Sequence, residues 1–389
     1  MSRCKRKPSE LSDRPGALYV HVPVCLSKCR YCDFYSRVVS ADGARRFVQA
    51  VRIELDTCNS LLAKPLATIY VGGGTPTALD GPLLAELLGA LKPLAGGQTE
   101  FTVEANPGTL DDRKADVLAG AGVNRASLGV QSFHPDELRR LGRIHTPDQA
   151  RQAVAALRRA GVGNLSLDLM YALPGQTLET WTDSLRQALD LQPQHLSCYA
   201  LSFEPGTPLH EDLAAGKVRE MDEDLQRDCY DAARHLTAEA GLAQYEISNF
   251  ARAGLECRHN LTYWRNEPYL GVGPAAASYL DGSRRTHAAD LSAYVEAILA
   301  GRECPGESER LVGRAEMAET LMLGLRLTAG IDRAAFAARF GSDPAEAFPR
   351  SFARYRSLGA VQITPGRIAI APDFLFVANE VLADLLAEA

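Results

Sequence analysis

Three of the chain's nine cysteines fall within eight positions: Cys25, Cys29 and Cys32 in "HVPVCLSKCRYCDF" (21–34). Thiolates at such short spacing bind either zinc or an iron–sulfur cluster. A structural zinc site needs four closed ligands. His21 offers a fourth, but Pro23 stands between it and the cysteine loop, and no second cysteine pair lies near. A cubane held by three thiolates leaves one iron open to a ligand. The spacing favours the cluster over zinc.

Six β-rich runs, each ending in a Gly, Pro or polar cluster and followed by a helical stretch, must position this loop. They are 17–22, 67–74, 100–106, 125–132, 165–175 and 196–206, with amphipathic segments such as 47–63 and 147–161 between them. Alternating βα units predict a parallel sheet with helices outside, either an open doubly wound sheet or a partial barrel. Gly72, Gly73, Gly74 and Thr75 follow the second run. Glu104 ends the third, Gln131 ends the fourth, and Arg143 lies just beyond it. Asp168 sits in the fifth and Tyr199 in the sixth. In parallel α/β folds the carboxyl ends of the strands form the ligand-binding face. Glycine backbone can approach a charged ligand closely there. Glu104, Gln131, Arg143 and Asp168 offer partners for an amino group, hydroxyls and a carboxylate.

"CLSKCRYC" and "GGGTPT", with "LYVHVPVC", "VEANPGT", "SLGVQSF", "LGRIHT" and "DLMYALPGQT", resemble the radical S-adenosylmethionine superfamily, in its oxygen-independent coproporphyrinogen III oxidase-like subgroup. The resemblance covers most of residues 17–280. It implies an incomplete (β/α)6 barrel, with Cys25, Cys29 and Cys32 as ligands of a [4Fe-4S] cluster. It also implies S-adenosylmethionine contacts at Tyr19, Gly73, Gly74, Thr75, Glu104, Gln131, Arg143 and Asp168, with Tyr31 as a further one.

Oxidases of the subgroup read C-x3-C-x2-C-x-C and carry a longer N-terminal extension. Here Phe34 stands at the last cysteine, and about two dozen residues precede Cys25. Both features resemble a sister group, the HemW-type haem chaperones. That group's haem-associated signature, H-N-x-x-Y-W, is matched by His259, Asn260, Tyr263 and Trp264 in "CRHNLTYW" (257–264). Histidine is a common axial haem ligand, aromatic rings pack on the macrocycle, and Cys257 is a rival thiolate ligand. "MLGLRLTAGID" (322–332) also resembles the chaperones' C-terminal region. Many relatives carry a His before the Ser of "PAAASYL" (274–280), where this chain has Ala277. The resemblance implies a chaperone, with no catalytic residue assigned, that holds haem, the cluster and S-adenosylmethionine. Its partners would be apo-haemoproteins of the respiratory chain, with a homodimer as a further expectation. The alternatives are a radical oxidative decarboxylase of coproporphyrinogen III and, more distantly, a zinc-stabilised α/β binding protein.

The domain reading that goes with this is a tail at 1–14, a barrel at 15–250 and a haem-motif and connecting segment at 251–300. A break rich in charge, Pro and Gly follows at 301–310, then a smaller α+β, winged-helix-like domain at 311–389. That last domain reads as helices, a hairpin turning at Pro365–Gly366, and a final helix over 374–388. It has eight Arg, no Lys and nine acidic residues, unlike a DNA-binding wing. The whole chain of 389 residues carries a net charge of −6, which gives no general attraction to nucleic acid or anionic membrane. The basic start lacks an apolar run behind it, and no stretch is long and apolar enough to span a membrane. Odd-numbered cysteines without a secretory signal predict a cytoplasmic chain with reduced thiols, peripheral to the inner face of the membrane only through partners. Cys4, Cys58, Cys198, Cys229 and Cys304 are scattered and read as small hydrophobes.

Overall fold

The computed structural model describes residues 14–389; most of the expected tail, with Cys4, lies outside them. The six expected runs become strands β1 (Ala17–Val22), β2 (Thr68–Gly73), β3 (Glu100–Ala105), β4 (Arg125–Gln131), β5 (Asn164–Tyr171) and β6 (His195–Ala200). They pair in sequential order and all in parallel. The helices between them start on strong caps. Thr146 and Gln149 form a capping box for Pro147–Arg159, and Thr177 and Thr180 form one for Leu178–Asp190. Each helix turns an apolar stripe onto the sheet, and a single core runs from Leu18 on β1 to Leu385 near the C-terminus.

The sheet extends beyond the six strands. On one side β6 meets a short hairpin, β7 (Ala243–Gln244) and β8 (Asn249–Ala251), with β8 antiparallel to β6. On the other, β9 (Tyr269–Val272) runs parallel to β1, and β10 (Ala277–Leu280), β11 (Ser283–His287) and β12 (Gly306–Glu309) follow antiparallel. The resulting 12-stranded sheet has β12 and β7 at its free ends, so the barrel stays incomplete. The 301–310 stretch expected as a break therefore contains an exposed edge strand, and the connecting segment at 251–300 contributes three strands to the sheet.

The C-terminal part packs helices Arg314–Gly324, Arg333–Phe340, Pro349–Ser357 and Ala378–Glu388 around a small antiparallel sheet. That sheet is formed by β13 (Ile331–Asp332), β14 (Val361–Ile363) and β15 (Arg367–Ile370), in the order β13-β15-β14. The hairpin turns at 364–366, as its Pro-Gly pair predicts. This part is anchored on the barrel by buried polar bonds. The Asn266 side chain donates to Glu319 (3.3 Å) and to Thr320 (3.0 Å). Among the described residues no helix is long and apolar enough to cross a membrane.

Candidate functional site

The carboxyl ends of β2–β6 open into a cavity of about 440 Å³. Cys25, Cys29 and Cys32 line it from the β1 loop, together with Tyr31 and Phe34. Gly73, Gly74, Thr75, Glu104, Gln131, Arg143, Asp168 and Tyr199 line it from the strand ends. Every residue matched to the cluster or to S-adenosylmethionine lies here except Tyr19. The side chains of Tyr19 and His21 sit two apart on β1, hence on one face, and both line a second cleft. There the Tyr19 hydroxyl bonds His21 Nδ1 at 2.9 Å.

The glycines are explained by contact. A Cβ at Gly72 would lie 2.6 Å from the Glu104 carboxyl carbon. One at Gly73 would lie 2.4 Å from the His21 ring, and Gly73 also has a φ of +104°. Gly73 N–H donates to Glu104 Oε2 (3.0 Å) and Tyr70 O–H to Oε1 (2.8 Å). Burial pushes Glu104 up to about 7; Asp168 adds to the rise, while these two hydrogen bonds oppose it. Asp168 is likewise raised by burial, although the Ser197, Ser127 and Ser166 hydroxyls hold it by hydrogen bonds. Ser127 donates to both its oxygens at 3.1 Å. Gln131 has a left-handed φ of 67° beside a register shift in the β4–β5 pairing. A non-glycine residue in that region is strained, as residues at ligand sites often are.

Three thiols around one cavity fit a cubane, which takes one thiolate per iron at separate corners. No three Cys, His, Asp or Glu among the described residues are set to hold a single ion. The Cys32 thiol is pushed up to about 11, first by burial and then by the charges of Cys29 and Cys25, so a cationic cluster would be needed to keep it as thiolate. Arg143 approaches Cys29 Sγ at 3.4 Å and donates to the Gly129 carbonyl, and its buried Nε has no partner. That orphaned donor, facing the cavity of Glu104 and Asp168, suits an amino-acid ligand whose carboxylate and ammonium need opposite charges.

Sequence reasoning missed the cavity floor. Arg125, Ser127, His195 and Ser197 line it as well, and so does Asn260, which the sequence places with the haem signature. The Arg125 guanidinium is 1 % exposed, its Nε lacks a partner, and it lies between the Glu104 and Asp168 charges above and Glu100 below. Its signal was a cation at the first position of a buried strand.

The four residues of the haem-associated signature do not form one cradle. They lie on the helix Arg258–Trp264. Cys257 gives this helix no side-chain cap, so Glu100 of β3 accepts from the N–H groups of Arg258 and His259, both at 3.1 Å. His259 is fully buried. Its Nδ1 bonds Thr68 Oγ1 (2.8 Å), its Nε2 bonds the Tyr263 hydroxyl (2.9 Å), and its ring stacks on Tyr70 at 5.1 Å. Burial, then the Arg125 charge, lowers it to about 3, so it is neutral. As folded, it has no free nitrogen for iron. Asn260 faces the main cavity, Tyr263 faces the second cleft, and Trp264 lies under the Arg326 guanidinium at 4.8 Å. Cys257 is fully buried near Glu100, burial raises its thiol to about 12, and it lines neither cavity.

The second cleft, about 450 Å³, lies between β9–β10 and the helix Arg314–Gly324. Phe34, 65 % exposed, lines both cavities.

A sheet with this order, opening on a three-cysteine loop, is the architecture of the radical SAM superfamily, whose model matches residues 19–188. A HemN C-terminal domain model matches residues 313–372. The Heme chaperone HemW of Bacillus subtilis is 34 % identical over 376 residues, covering 95 % of this chain and 99 % of that one. The Heme chaperone HemW of Escherichia coli is 42 % identical over 269 residues, covering 67 % of this chain and 69 % of its own length. The solved structure of the Escherichia coli coproporphyrinogen III oxidase HemN superposes with a TM-score of 0.83 at 20 % identity, over 97 % of this chain and 91 % of that one, a likeness of fold. The chain belongs to the HemW family of the radical SAM superfamily. Membership implies a [4Fe-4S] cluster and S-adenosylmethionine as cofactors.

Proposed function

We propose that this chain is a haem chaperone: it binds haem, a [4Fe-4S] cluster and S-adenosylmethionine, and delivers the haem to apo-haemoproteins of the respiratory chain. The observation that carries the reading is the main cavity, where three cysteines, a half-buried pair of carboxyls raised by desolvation and an under-bonded arginine line one space beside Phe34. Cys25, Cys29 and Cys32 would hold the cluster, which when bound and reduced by an external electron donor would supply one-electron chemistry to the ligand's sulfonium. Glu104 takes the ligand's ammonium, Arg143 its carboxylate, and Asp168 and Gln131 its hydroxyls. Gly73, Gly74 and Thr75 bring backbone against it, and Tyr31 covers it. Phe34 places an exposed apolar ring where a fourth thiol would otherwise face the cavity. The ring cannot donate a proton or ligate metal, which favours holding a tetrapyrrole over oxidising one.

The experiment is a pair of anaerobic assays on the reconstituted chain. Haem-loaded protein mixed with a haem-depleted respiratory reductase should restore that enzyme's haem spectrum. Coproporphyrinogen III, given with S-adenosylmethionine and a strong reductant, should be recovered intact by mass spectrometry. Loss of two CO2 per porphyrin, dependent on Cys25, would make the chain a decarboxylase and overturn the reading.

A further inference from the structure

We propose that the second cleft, between β9–β10 and the helix Arg314–Gly324, is the seat of the haem, with the Met322 sulfur as the iron's protein ligand. The inference rests on the chaperone reading and deepens it. Five of the thirteen residues lining the cleft are aromatic: Tyr19, Phe34, Tyr35, Tyr263 and Tyr269. Its volume, about 450 Å³, lies in the ordinary range for cofactor-sized ligands, and such sites favour domain boundaries. Tyr263 meets Tyr269 edge to face at 4.6 Å, and aromatic walls of this kind can pack against a flat conjugated macrocycle. The main cavity does not. Asp33, Glu104, Asp168 and Glu204 line it against Lys28, Arg125 and Arg143, a balance that suits a net cation and repels two propionates.

The cleft also offers a partner for those propionates. Arg284 lines it, donating to Glu319 and bonding Tyr269, with its face over the Tyr279 ring at 5.3 Å. A guanidinium has five N–H donors, so these contacts leave some for a ligand carboxylate.

Elimination selects the iron ligand. On this wall the His21 nitrogens are both occupied, by the Tyr19 hydroxyl (2.9 Å) and the Tyr35 carbonyl (2.8 Å). The Tyr35 hydroxyl accepts from Leu291 N–H at 2.6 Å, and the Tyr263 hydroxyl bonds His259. Tyr269 bonds Arg284, and so does Glu319. Met322, half-buried on the helix that closes the cleft, carries the remaining donor atom suited to iron. A thioether is a known axial haem ligand. A single soft ligand without a histidine holds iron weakly, which suits a protein that must release its haem.

The test is haemin titration of the reconstituted full chain by absorbance, with S-adenosylmethionine binding measured in parallel as the check on folding. Met322→Leu keeps side-chain volume. It should shift the Soret maximum of the bound haem and leave the affinity for metal-free protoporphyrin unchanged. Ala277→Trp fills the cleft wall and should weaken haem binding at least tenfold with S-adenosylmethionine affinity intact. Ala277→His adds an imidazole to the cleft and should tighten haem and change its spectrum. If wild-type protein binds haem but Met322→Leu leaves the spectrum unmoved, Met322 is not the ligand; if a folded Ala277→Trp binds haem normally, the seat is elsewhere; in both cases the chaperone reading survives. Absence of haem binding by the wild type would sink both. Should Ala277→Trp fail to fold, the two milder variants decide.

Discussion

Glu104 should make S-adenosylmethionine binding depend on pH near neutrality. Burial holds this carboxyl at about 7 despite the Tyr70 and Gly73 hydrogen bonds and the Arg125 charge, which lower it. If the carboxylate receives the ligand's ammonium, only the ionised form binds well. With a midpoint of about 7, roughly nine-tenths of the protein is ionised at pH 8 and roughly one-tenth at pH 6. The affinity carried by this carboxylate then falls about tenfold across that window, about 1.4 kcal/mol. The ligand's own α-amino group titrates near 7.7–8.0, so the quantity to measure is the ratio of wild-type to Glu104→Gln affinity, in which the ligand's titration cancels. Isothermal calorimetry at pH 6, 7 and 8 gives it. The ratio should drop about tenfold from pH 8 to pH 6. A ratio constant across the window would refute the assignment of Glu104 to the ammonium. The sign for folding is the reverse: a pKa raised on folding contributes stability at low pH that is lost as pH rises through about 7. Ligand-free protein should therefore melt lower at pH 8 than at pH 6 relative to Glu104→Gln, and saturating ligand should remove the difference.

Cys25→Ala, Cys29→Ala or Cys32→Ala should strip bound iron and acid-labile sulfide in a chemical assay while leaving the melting transition of the ligand-free protein nearly in place, because all three thiols are only half-buried. His259→Phe leaves the Thr68 and Tyr263 hydroxyls without their partner and should cost about 2–6 kcal/mol in denaturant titration, at about 1–3 per orphaned group. Its haem spectrum should stay that of the wild type; a changed Soret band would return His259 to the iron. Since burial holds His259 neutral down to about 3, the wild type must lose stability as pH falls below about 6.5, and the variant should lose about 1.4 kcal/mol per pH unit less between pH 5.5 and 4. Arg125→Met removes the buried cation between Glu100, Glu104 and Asp168 and should destabilise by about 3–5 kcal/mol; a neutral effect would mean those carboxyls are already protonated.

The six parallel strands were legible because each is a short run rich in β-branched, leucine or aromatic residues and closed by a Gly, Pro or polar cluster. The cavity residues were legible for the same reason: the strand ends are where polarity interrupts those runs. What escaped was short or two-sided. β7 has two residues, β8 three and β12 four, too few to show an alternation. β12 reads "GESE", wholly polar, because an edge strand exposed on both faces needs no apolar side. Arg125 and His195 were hidden at the first positions of their strands, where a polar residue reads as the end of a loop; in the fold they point into the barrel floor.

The haem-associated signature shows where spacing argues against the role that resemblance gives it. His259 and Tyr263 are four apart on one helix, so their side chains meet, and they do, nitrogen to hydroxyl. The pair completes itself. What the helix then does is divide two spaces: Asn260 looks into the cavity of the cysteines, and Tyr263 into the aromatic cleft. From Tyr263 the contacts run through His259 to the Tyr70 ring, and from the Tyr70 hydroxyl to Glu104. Loss of the histidine would loosen both walls at once. A variant at this position that binds haem poorly would therefore not identify an iron ligand. Only the spectrum of the haem that still binds separates a lost ligand from a slackened wall.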